Sequence, residues 1–248
     1  MDTGNKKIYF ASDFHLGAPN YEESLEREKK IVDWLNHIES DVEELYLLGD
    51  IFDFWFEYKH TIPKGSTRFL GKIAEFSDKG IPVHLFAGNH DMWIFGYLQK
   101  ETGMIYHKKS LSATLKGKRF FLAHGDGLGP GDTSYKILKK IFRNKLAQWL
   151  FARIHPNLGI TIARKWSHSS RIANEESPKF QGEEKELQVK YVKELAKKEN
   201  YDYYVLGHRH EPIDMKIDRN IRYINLGDWI TNFTYGEFDG NEFSLKNW

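Results

Sequence analysis

Hydrophobic residues along the chain follow two periods, and their alternation predicts the order of strands and helices. Short apolar runs at residues 7–12, 45–48 and 83–87 alternate with segments 25–38 and 69–76, where apolar residues recur at helical spacing. Buried strands that alternate with helices are typical of parallel βαβ units. The first half of the chain therefore predicts an α/β sheet.

The pattern changes after residue 108. Two strands joined by a glycine turn are predicted at 111–115 and 119–123, and most of residues 135–200 predicts helix. The strands predicted beyond that helical part lie at residues 203–206, 214–217, 222–225 and 233–238. A chain of 248 residues needs only one hydrophobic core, so we expect a single domain over 1–248 with a helical insertion at about 130–185.

The composition narrows the possible chemistry. The chain has no cysteine, which excludes disulfides, thiolate metal ligands and a cysteine nucleophile. We see no signal-peptide pattern at the N-terminus, and no apolar run approaches the roughly 18 residues that span a bilayer. A reducing, cytoplasmic location is the expectation that fits these features.

Five short clusters of acidic residues and histidines each follow a predicted strand. They lie at residues 13–15, 49–53, 88–91, 124–126 and 207–210. In open α/β sheets, ligand sites collect at the carboxyl ends of strands, so we expect the five clusters to share one pocket. Together they supply seven potential metal ligands, which are Asp13, His15, Asp50, Asn89, His124, His208 and His210.

This ligand set predicts two adjacent divalent cations, with the carboxylate of Asp50 between them. The predicted ligands of one cation are Asp13, His15, Asp50 and His210, and those of the other are Asp50, Asn89, His124 and His208. Oxygen and nitrogen donors without sulfur favour Mn, Fe, Zn or Co, and Mn is the predicted metal. Two such ions about 3.5–4 Å apart activate water and clamp a phosphoryl group, so the predicted reaction is hydrolysis of a phosphoester or phosphoanhydride.

Other residues of the clusters have predicted supporting roles. We expect His90 to bind a phosphate oxygen or to protonate the leaving group, while Asp91 fixes the tautomer of its imidazole. Asp53 and Asp126 are predicted to orient the metal ligands. The residues that we expect to contact the substrate directly in these clusters are Asn89, His90 and His208.

The charge of the chain is unevenly distributed, although its net value is only +1. Residues 136–173 contain nine Lys or Arg residues and no Asp or Glu, and apolar residues recur there at helical spacing. A solvated helix face explains such a basic run in many proteins. Basic and apolar residues on one segment favour instead a surface that meets an anionic, apolar partner.

The clusters resemble those of the calcineurin-like metallophosphoesterases, whose pattern is Asp-x-His, Gly-Asp-x-x-Asp, Gly-Asn-His-Asp/Glu, His and Gly-His-x-His. This resemblance implies a four-layer α/β/β/α sandwich. Within the superfamily, the motifs at residues 12–17 and 49–55 and the insertion between His124 and His208 resemble the UDP-2,3-diacylglucosamine pyrophosphohydrolases of lipid A biosynthesis. The best-known members of that group carry Gly-Asn-Arg-Asp, whereas this chain has His90 in place of the arginine.

The narrower resemblance implies a nucleotide-lipid substrate and a peripheral location on the cytoplasmic face of the inner membrane. In that family, water attacks the α-phosphorus and releases UMP and 2,3-diacylglucosamine 1-phosphate. Its helical insertion is a lid over the acyl chains, and the matching lid residues that are implied to contact substrate here are Ser170 and Asn174.

Three other functions stay open at this stage. The enzyme could act on another nucleotide or on a phosphoprotein, since the superfamily motifs permit both. A nuclease would use the basic residues 136–171, but the apolar residues there are mostly aliphatic and single-strand binding prefers aromatic platforms, so no nucleic-acid partner is expected. An inactive scaffold would normally have lost metal ligands, and none is lost here. The oligomeric state is open.

Overall fold

The computed structural model describes residues 6–129, 133–175, 180 and 182–248, and for residues 134 and 170–175 it describes only the backbone. The strands are β1 (Lys7–Ala11), β2 (Val42–Leu47), β3 (Val83–Phe86), β4 (Ile105–His107), β5 (Leu111–Leu115), β6 (Lys118–Ala123), β7 (Tyr203–Leu206), β8 (Pro212–Asp218), β9 (Ile221–Leu226), β10 (Thr234–Phe238) and β11 (Phe243–Asn247). The helices are α1 (Tyr21–Ile38), α2 (Thr67–Asp78), α3 (Tyr97–Thr102), α4 (Thr133–Arg143), α5 (Lys145–Phe151), α6 (Pro156–Glu175) and α7 (Leu187–Ala196).

The strands form two sheets. The first has the order β11-β10-β1-β2-β3-β4, with β1 to β4 parallel and with β10 and β11 added antiparallel at one edge. The second has the order β5-β6-β7-β9-β8, with a parallel centre of β6, β7 and β9. Both sheets therefore contain parallel strands whose carboxyl ends lie at a common edge.

Alternation along the strands divides the core into layers. In β1, Tyr9 and Ala11 pack with helices α1 and α2, whereas Ile8 and Phe10 pack against the second sheet. The outer face of the second sheet packs against α7 through residues such as Val189. The order of layers is helix, sheet, sheet, helix, which confirms the predicted four-layer α/β/β/α fold.

The structure also contains elements that the apolar pattern did not predict. Strands β4 and β11 and helix α3 were missed, because each is short and only partly buried. The predicted helical part of the chain consists of separate helices, and residues that favour helix starts mark where α5 and α6 begin. The side chain of Asn144 accepts the amides of Leu146 and Ala147 at the start of α5, and Pro156 opens α6.

Helix α2 begins without a side-chain cap of its own, because Ser66 has left-handed backbone geometry and makes no cap hydrogen bond. The buried carboxylate of Glu28 on α1 accepts the amides of Arg68 at 2.7 Å and Phe69 at 3.1 Å instead. This contact satisfies donors that the helix end would otherwise leave unpaired.

We expect Glu28→Ala to lower the free energy of unfolding by about 1–3 kcal/mol, because one buried and one part-buried amide lose their acceptor. Urea denaturation with a fluorescence readout measures this change. The matched control is Glu26→Ala, which removes only an exposed pair with Lys29 and should change stability by less than about 1 kcal/mol. Equal midpoints for the two variants would contradict the capping role.

Candidate metal centre

The five clusters meet at the edge where parallel strands of both sheets end. Asp13 follows β1, Asp50 follows β2 and Asn89 follows β3, all in the first sheet. His124 follows β6 and His208 follows β7 in the second sheet. The loops are tied together by backbone hydrogen bonds such as Asp13 N–H to Gly49 O at 3.1 Å and Gly207 N–H to His124 O at 2.7 Å.

The backbone of these loops is unusual. Asp13, His15, Asp50, His208 and His210 all have positive φ angles, between 45° and 70°. Such angles are uncommon for residues other than glycine, and strained backbone of this kind clusters at functional sites. The loops with this backbone geometry bring the donor atoms of these side chains together at the edge where the strands end.

One group consists of Asp13, His15 and His210, whose donor atoms all lie within 4.8 Å of one another. His210 Nε2 is 3.2 Å from Asp13 Oδ1 and 3.1 Å from His15 Nε2. Asp13 and His15 are fully buried. Two imidazole nitrogens and a carboxylate oxygen that converge in this way are a suitable donor set for a divalent cation.

A second group consists of Asp50, His124 and His208. His124 Nε2 lies 3.3 Å from Asp50 Oδ2 and 3.1 Å from Asn89 Oδ1, which brings the amide to the same place. Asp50 Oδ2 is also 3.8 Å from His15 Nε2, so this carboxylate stands between the two groups. The structure thus brings together all seven predicted ligands.

The electrostatics of the groups fit a pair of cations. Burial alone would lower the pKa of His15, but its contacts with Asp13 and Asp53 outweigh burial and raise that pKa to about 9. Burial also acts to lower the pKa of His124, but the neighbouring charge of Asp50 outweighs burial and raises that pKa to about 10. The buried carboxylates thus favour positive charge on the neighbouring rings, and a metal ion would supply that charge with release of protons.

The partly exposed His208 offers an independent test of the fit. Its Nδ1 atom is buried and has no hydrogen-bond partner within the described part of the chain. Burial lowers the pKa of this imidazole to about 4, and the neighbouring charge of His124 acts in the same direction. A neutral ring with an unused buried nitrogen is suited to metal ligation.

Two acidic residues lie near the Nδ1 atoms of predicted histidine ligands. Asp53 Oδ1 lies 3.5 Å from His15 Nδ1, so its carboxylate is close enough to act on the orientation of that ring. Asp228, which the sequence did not single out, lies with Oδ2 at 3.9 Å from His210 Nδ1 and accepts the amides of Ile230, Thr231 and Asn232. Asp228 lies outside the five clusters of the sequence, so no motif identified it.

The prediction that Asp91 contacts the imidazole of His90 was wrong. Its buried carboxylate accepts the amides of Gly88 at 2.8 Å and Ile51 at 2.8 Å instead of holding the imidazole of His90. Burial, and then the charge of Asp50, raises the pKa of Asp91 to about 7. Asp91 therefore fixes the loops after β2 and β3 relative to each other, because their backbone amides converge on it.

Asp126 also differs from its predicted role. Its Oδ2 atom accepts a hydrogen bond from the hydroxyl of Tyr135 and lies 2.5 Å from Lys139 Nζ. Both partners belong to α4, so this carboxylate attaches the helical segment to the loop after β6.

The ring of His90 contacts a residue that the sequence did not indicate. His90 Nδ1 lies 3.0 Å from the carbonyl oxygen of Asp53 and 2.8 Å from Ser167 Oγ on α6. Its Nε2 atom faces Asp50, with Oδ2 at 3.9 Å. Burial lowers the pKa of His90, which keeps its ring neutral near pH 7.

An apolar cavity of about 270 Å³ opens beside His90 and Asn89. Helices α4 to α6 form much of its wall, and its large apolar lining residues include Trp93, Phe142, Phe151, Ile154, Ile162 and Trp166. Ser170 and Asn174, which were expected to contact substrate, lie in α6 with side chains outside the described part of the structure. Within the described ranges, none of the helices has the length and apolar character needed to cross a bilayer.

We expect Asp50→Asn to reduce metal binding more than the loss of any other ligand, because Asp50 Oδ2 stands between the imidazoles of His15 and His124, one from each group. Elemental analysis after incubation with Mn²⁺ and gel filtration measures the ions retained per chain. Asp41→Asn, a change at a carboxylate of a surface salt bridge with Lys7, is the control for charge removal. Two ions retained by Asp50→Asn, as in the unmodified protein, would refute the bridging position.

Comparisons with known proteins agree with this geometry. Residues 6–212 match the sequence model of the calcineurin-like phosphoesterases. The UDP-2,3-diacylglucosamine hydrolase of Porphyromonas gingivalis is 39% identical, over 97% of both chains. The enzyme of the same name from Haemophilus influenzae strain Rd is 28% identical, over 92% of both chains. This chain is a hydrolase and belongs to the calcineurin-like phosphoesterase family.

Proposed function

We propose that the protein hydrolyses the diphosphate of UDP-2,3-diacylglucosamine. Water attacks the α-phosphorus, and the products are UMP and 2,3-diacylglucosamine 1-phosphate. The observation that carries this proposal is the apolar cavity that begins at His90 and Asn89, beside the candidate metal ligands. A substrate that combines a diphosphate with acyl chains matches both parts of this site, and the name of the relatives with 39% and 28% identity supports the same substrate.

The family implies divalent metal ions, and the two groups of donors would hold them. Asp13, His15 and His210 would bind one ion, while Asp50, Asn89, His124 and His208 would bind the other, with Asp50 shared; Mn²⁺ is the proposed metal, and Fe or Zn would suit the same donors. When bound, such a pair activates water and neutralises the charge of the phosphoryl group.

The residues of the chain supply the remaining parts of the reaction. His90 stands beside the metal ligands with Nε2 directed at the site, where Nε2 can take up a proton and, once it carries that proton, donate it to a phosphate oxygen or to the leaving sugar phosphate. Asp91 and Gly88 hold the loop that presents Asn89 and His90. The cavity walls exclude water from the acyl chains, which favours binding by the hydrophobic effect.

We further propose that the chain is one domain in which helices α4 to α6 form a lid. Large apolar side chains of this segment are exposed, including Leu146, Trp149, Leu150 and Leu158. They stand among the basic residues described above, and this combination supports peripheral binding to an anionic membrane surface such as the cytoplasmic face of the inner membrane. A substrate anchored in that membrane would reach the cavity directly from the lipid.

The direct test is release of UMP from UDP-2,3-diacylglucosamine in mixed micelles with Mn²⁺, quantified by liquid chromatography. We expect rapid UMP release that depends on the metal and is absent in Asp50→Asn. UDP-N-acetylglucosamine serves as the matched substrate without acyl chains, and we expect its kcat/KM to be at least about 100-fold lower, since acyl burial contributes about 0.8 kcal/mol for each methylene. The proposal fails if no UMP exceeds the EDTA control, or if the substrate without acyl chains is preferred.

Phe151 connects the cavity to the body of the protein, because its ring packs 4.9 Å from Phe56 and 4.8 Å from Trp93. We expect Phe151→Ser to raise KM for the diacylated substrate about tenfold, because the apolar wall is lost. Hydrolysis of bis(p-nitrophenyl) phosphate should change less than about twofold, since the metal ligands are untouched.

The matched control is Trp149→Ser, in the same helix, whose side chain is 53% exposed and contacts Arg153. Because Trp149 belongs to the exposed apolar surface and does not line the cavity, this change should leave KM for a monomeric, short-chain diacylated substrate nearly unchanged. An equal loss of activity on both substrates in Phe151→Ser, with a lower Tm, would show that Phe151 only packs the helical segment onto the body.

A further inference from the structure

Helix α6 reaches the loop after β3 through one buried hydroxyl. Ser167 is buried, and its Oγ atom lies 2.8 Å from His90 Nδ1 and 2.8 Å from the carbonyl oxygen of Asp53. The same carbonyl oxygen is 3.0 Å from His90 Nδ1. Three polar atoms therefore form a closed triangle on the side of the imidazole that faces away from the metal ligands.

The hydrogen atoms available to this triangle determine the tautomer of the ring. A carbonyl oxygen only accepts hydrogen bonds, and a serine hydroxyl has a single hydrogen to donate. Ser167 donates to the carbonyl oxygen of Asp53. An unprotonated Nδ1 would then place its lone pair against two oxygen lone pairs, which is unfavourable. The favourable arrangement has a proton on Nδ1, which donates to Ser167 Oγ and to the carbonyl.

We infer that Ser167 is a positioning residue that holds His90 as the Nδ1–H tautomer, with Nε2 free to exchange a proton with the substrate. Asp50 Oδ2 lies 3.9 Å from Nε2, which is too long for a hydrogen bond, and Nε2 has no hydrogen-bond partner within the described part of the chain. The orienting role that Asp91 was predicted to play thus belongs to Ser167 and the Asp53 carbonyl. Because Ser167 lies in α6 and lines the cavity, the catalytic ring is set only when this helix is in place.

Ring-nitrogen chemical shifts test this inference directly. Protein with ¹⁵N-labelled histidine, loaded with diamagnetic Zn²⁺, would be compared with Ser167→Ala, Ser167→Thr and Ser169→Ala; His90→Ala assigns the signal. Ser167→Thr keeps the hydroxyl, and Ser169→Ala removes an exposed hydroxyl from the same helix. Although the catalytic consequence rests on the proposed function of His90, these shifts report the tautomer without any substrate.

We expect His90 to be in the Nδ1–H form in the unmodified protein, in Ser167→Thr and in Ser169→Ala, and to become a mixture of tautomers in Ser167→Ala. With bis(p-nitrophenyl) phosphate, kcat of Ser167→Ala should fall about three- to tenfold, the range for loss of one neutral hydrogen bond, while KM and bound metal stay constant. This substrate carries no nucleotide or lipid, so failure of the proposed substrate would leave the result intact.

Three results would overturn the role of Ser167. The first is an Nε2–H tautomer of His90 in the unmodified protein, and the second is an unchanged tautomer and kcat in Ser167→Ala. The third is a fall of kcat in Ser167→Thr as large as that in Ser167→Ala. Since Ser167→Thr keeps the hydroxyl, that result would show that Ser167 contributes only by packing.

Discussion

The buried carboxylate of Asp50 is the constraint on which the rest of the site depends. Its Oδ1 atom accepts the amide of His90 at 2.9 Å, and its Oδ2 atom faces His124, His15 and His90. A side chain at Gly88 would place its Cβ 2.1 Å from Asp50 Oδ1, so only glycine allows the two loops to approach this closely. A buried charge of this kind is costly unless it is paired, and the surrounding imidazoles provide that pairing, as a bound cation would.

Much of the buried polar structure serves to hold this arrangement. Gln188 of α7 donates to the carbonyl of Gly207 at 3.0 Å, and it accepts hydrogen bonds from Tyr223 and Asn225. Asn225 also donates to the carbonyl of Gly207, at 2.7 Å. The loop that carries His208 is thus fixed from beneath by a satisfied network, which rigidifies a site more than an apolar core would. Asp91 has the corresponding role in the first sheet.

The sequence allowed the centre of the site to be predicted, because its signals are local. An apolar run followed by Asp-x-His or Gly-Asp indicates both the end of a strand and the position of a ligand. In the structure, the side chains of all seven predicted ligands lie close together. The residues that were missed act across long sequence separations. Ser167 and His90 are 77 positions apart, and no pattern within either segment indicates that α6 lies over the loop after β3. Asp91 was predicted to contact His90 because the two residues are adjacent in sequence. Its carboxylate is instead bound by backbone amides, including that of Ile51 in the loop after β2.

We propose that two cations bind at the edge shared by both sheets. Crystals of the protein grown with Mn²⁺, measured at the manganese absorption edge, test it most directly. The account predicts two anomalous peaks about 3.5–4 Å apart, one among Asp13, His15 and His210 and the other among Asn89, His124 and His208, with Asp50 between them. A single peak, or peaks away from these side chains, would contradict it.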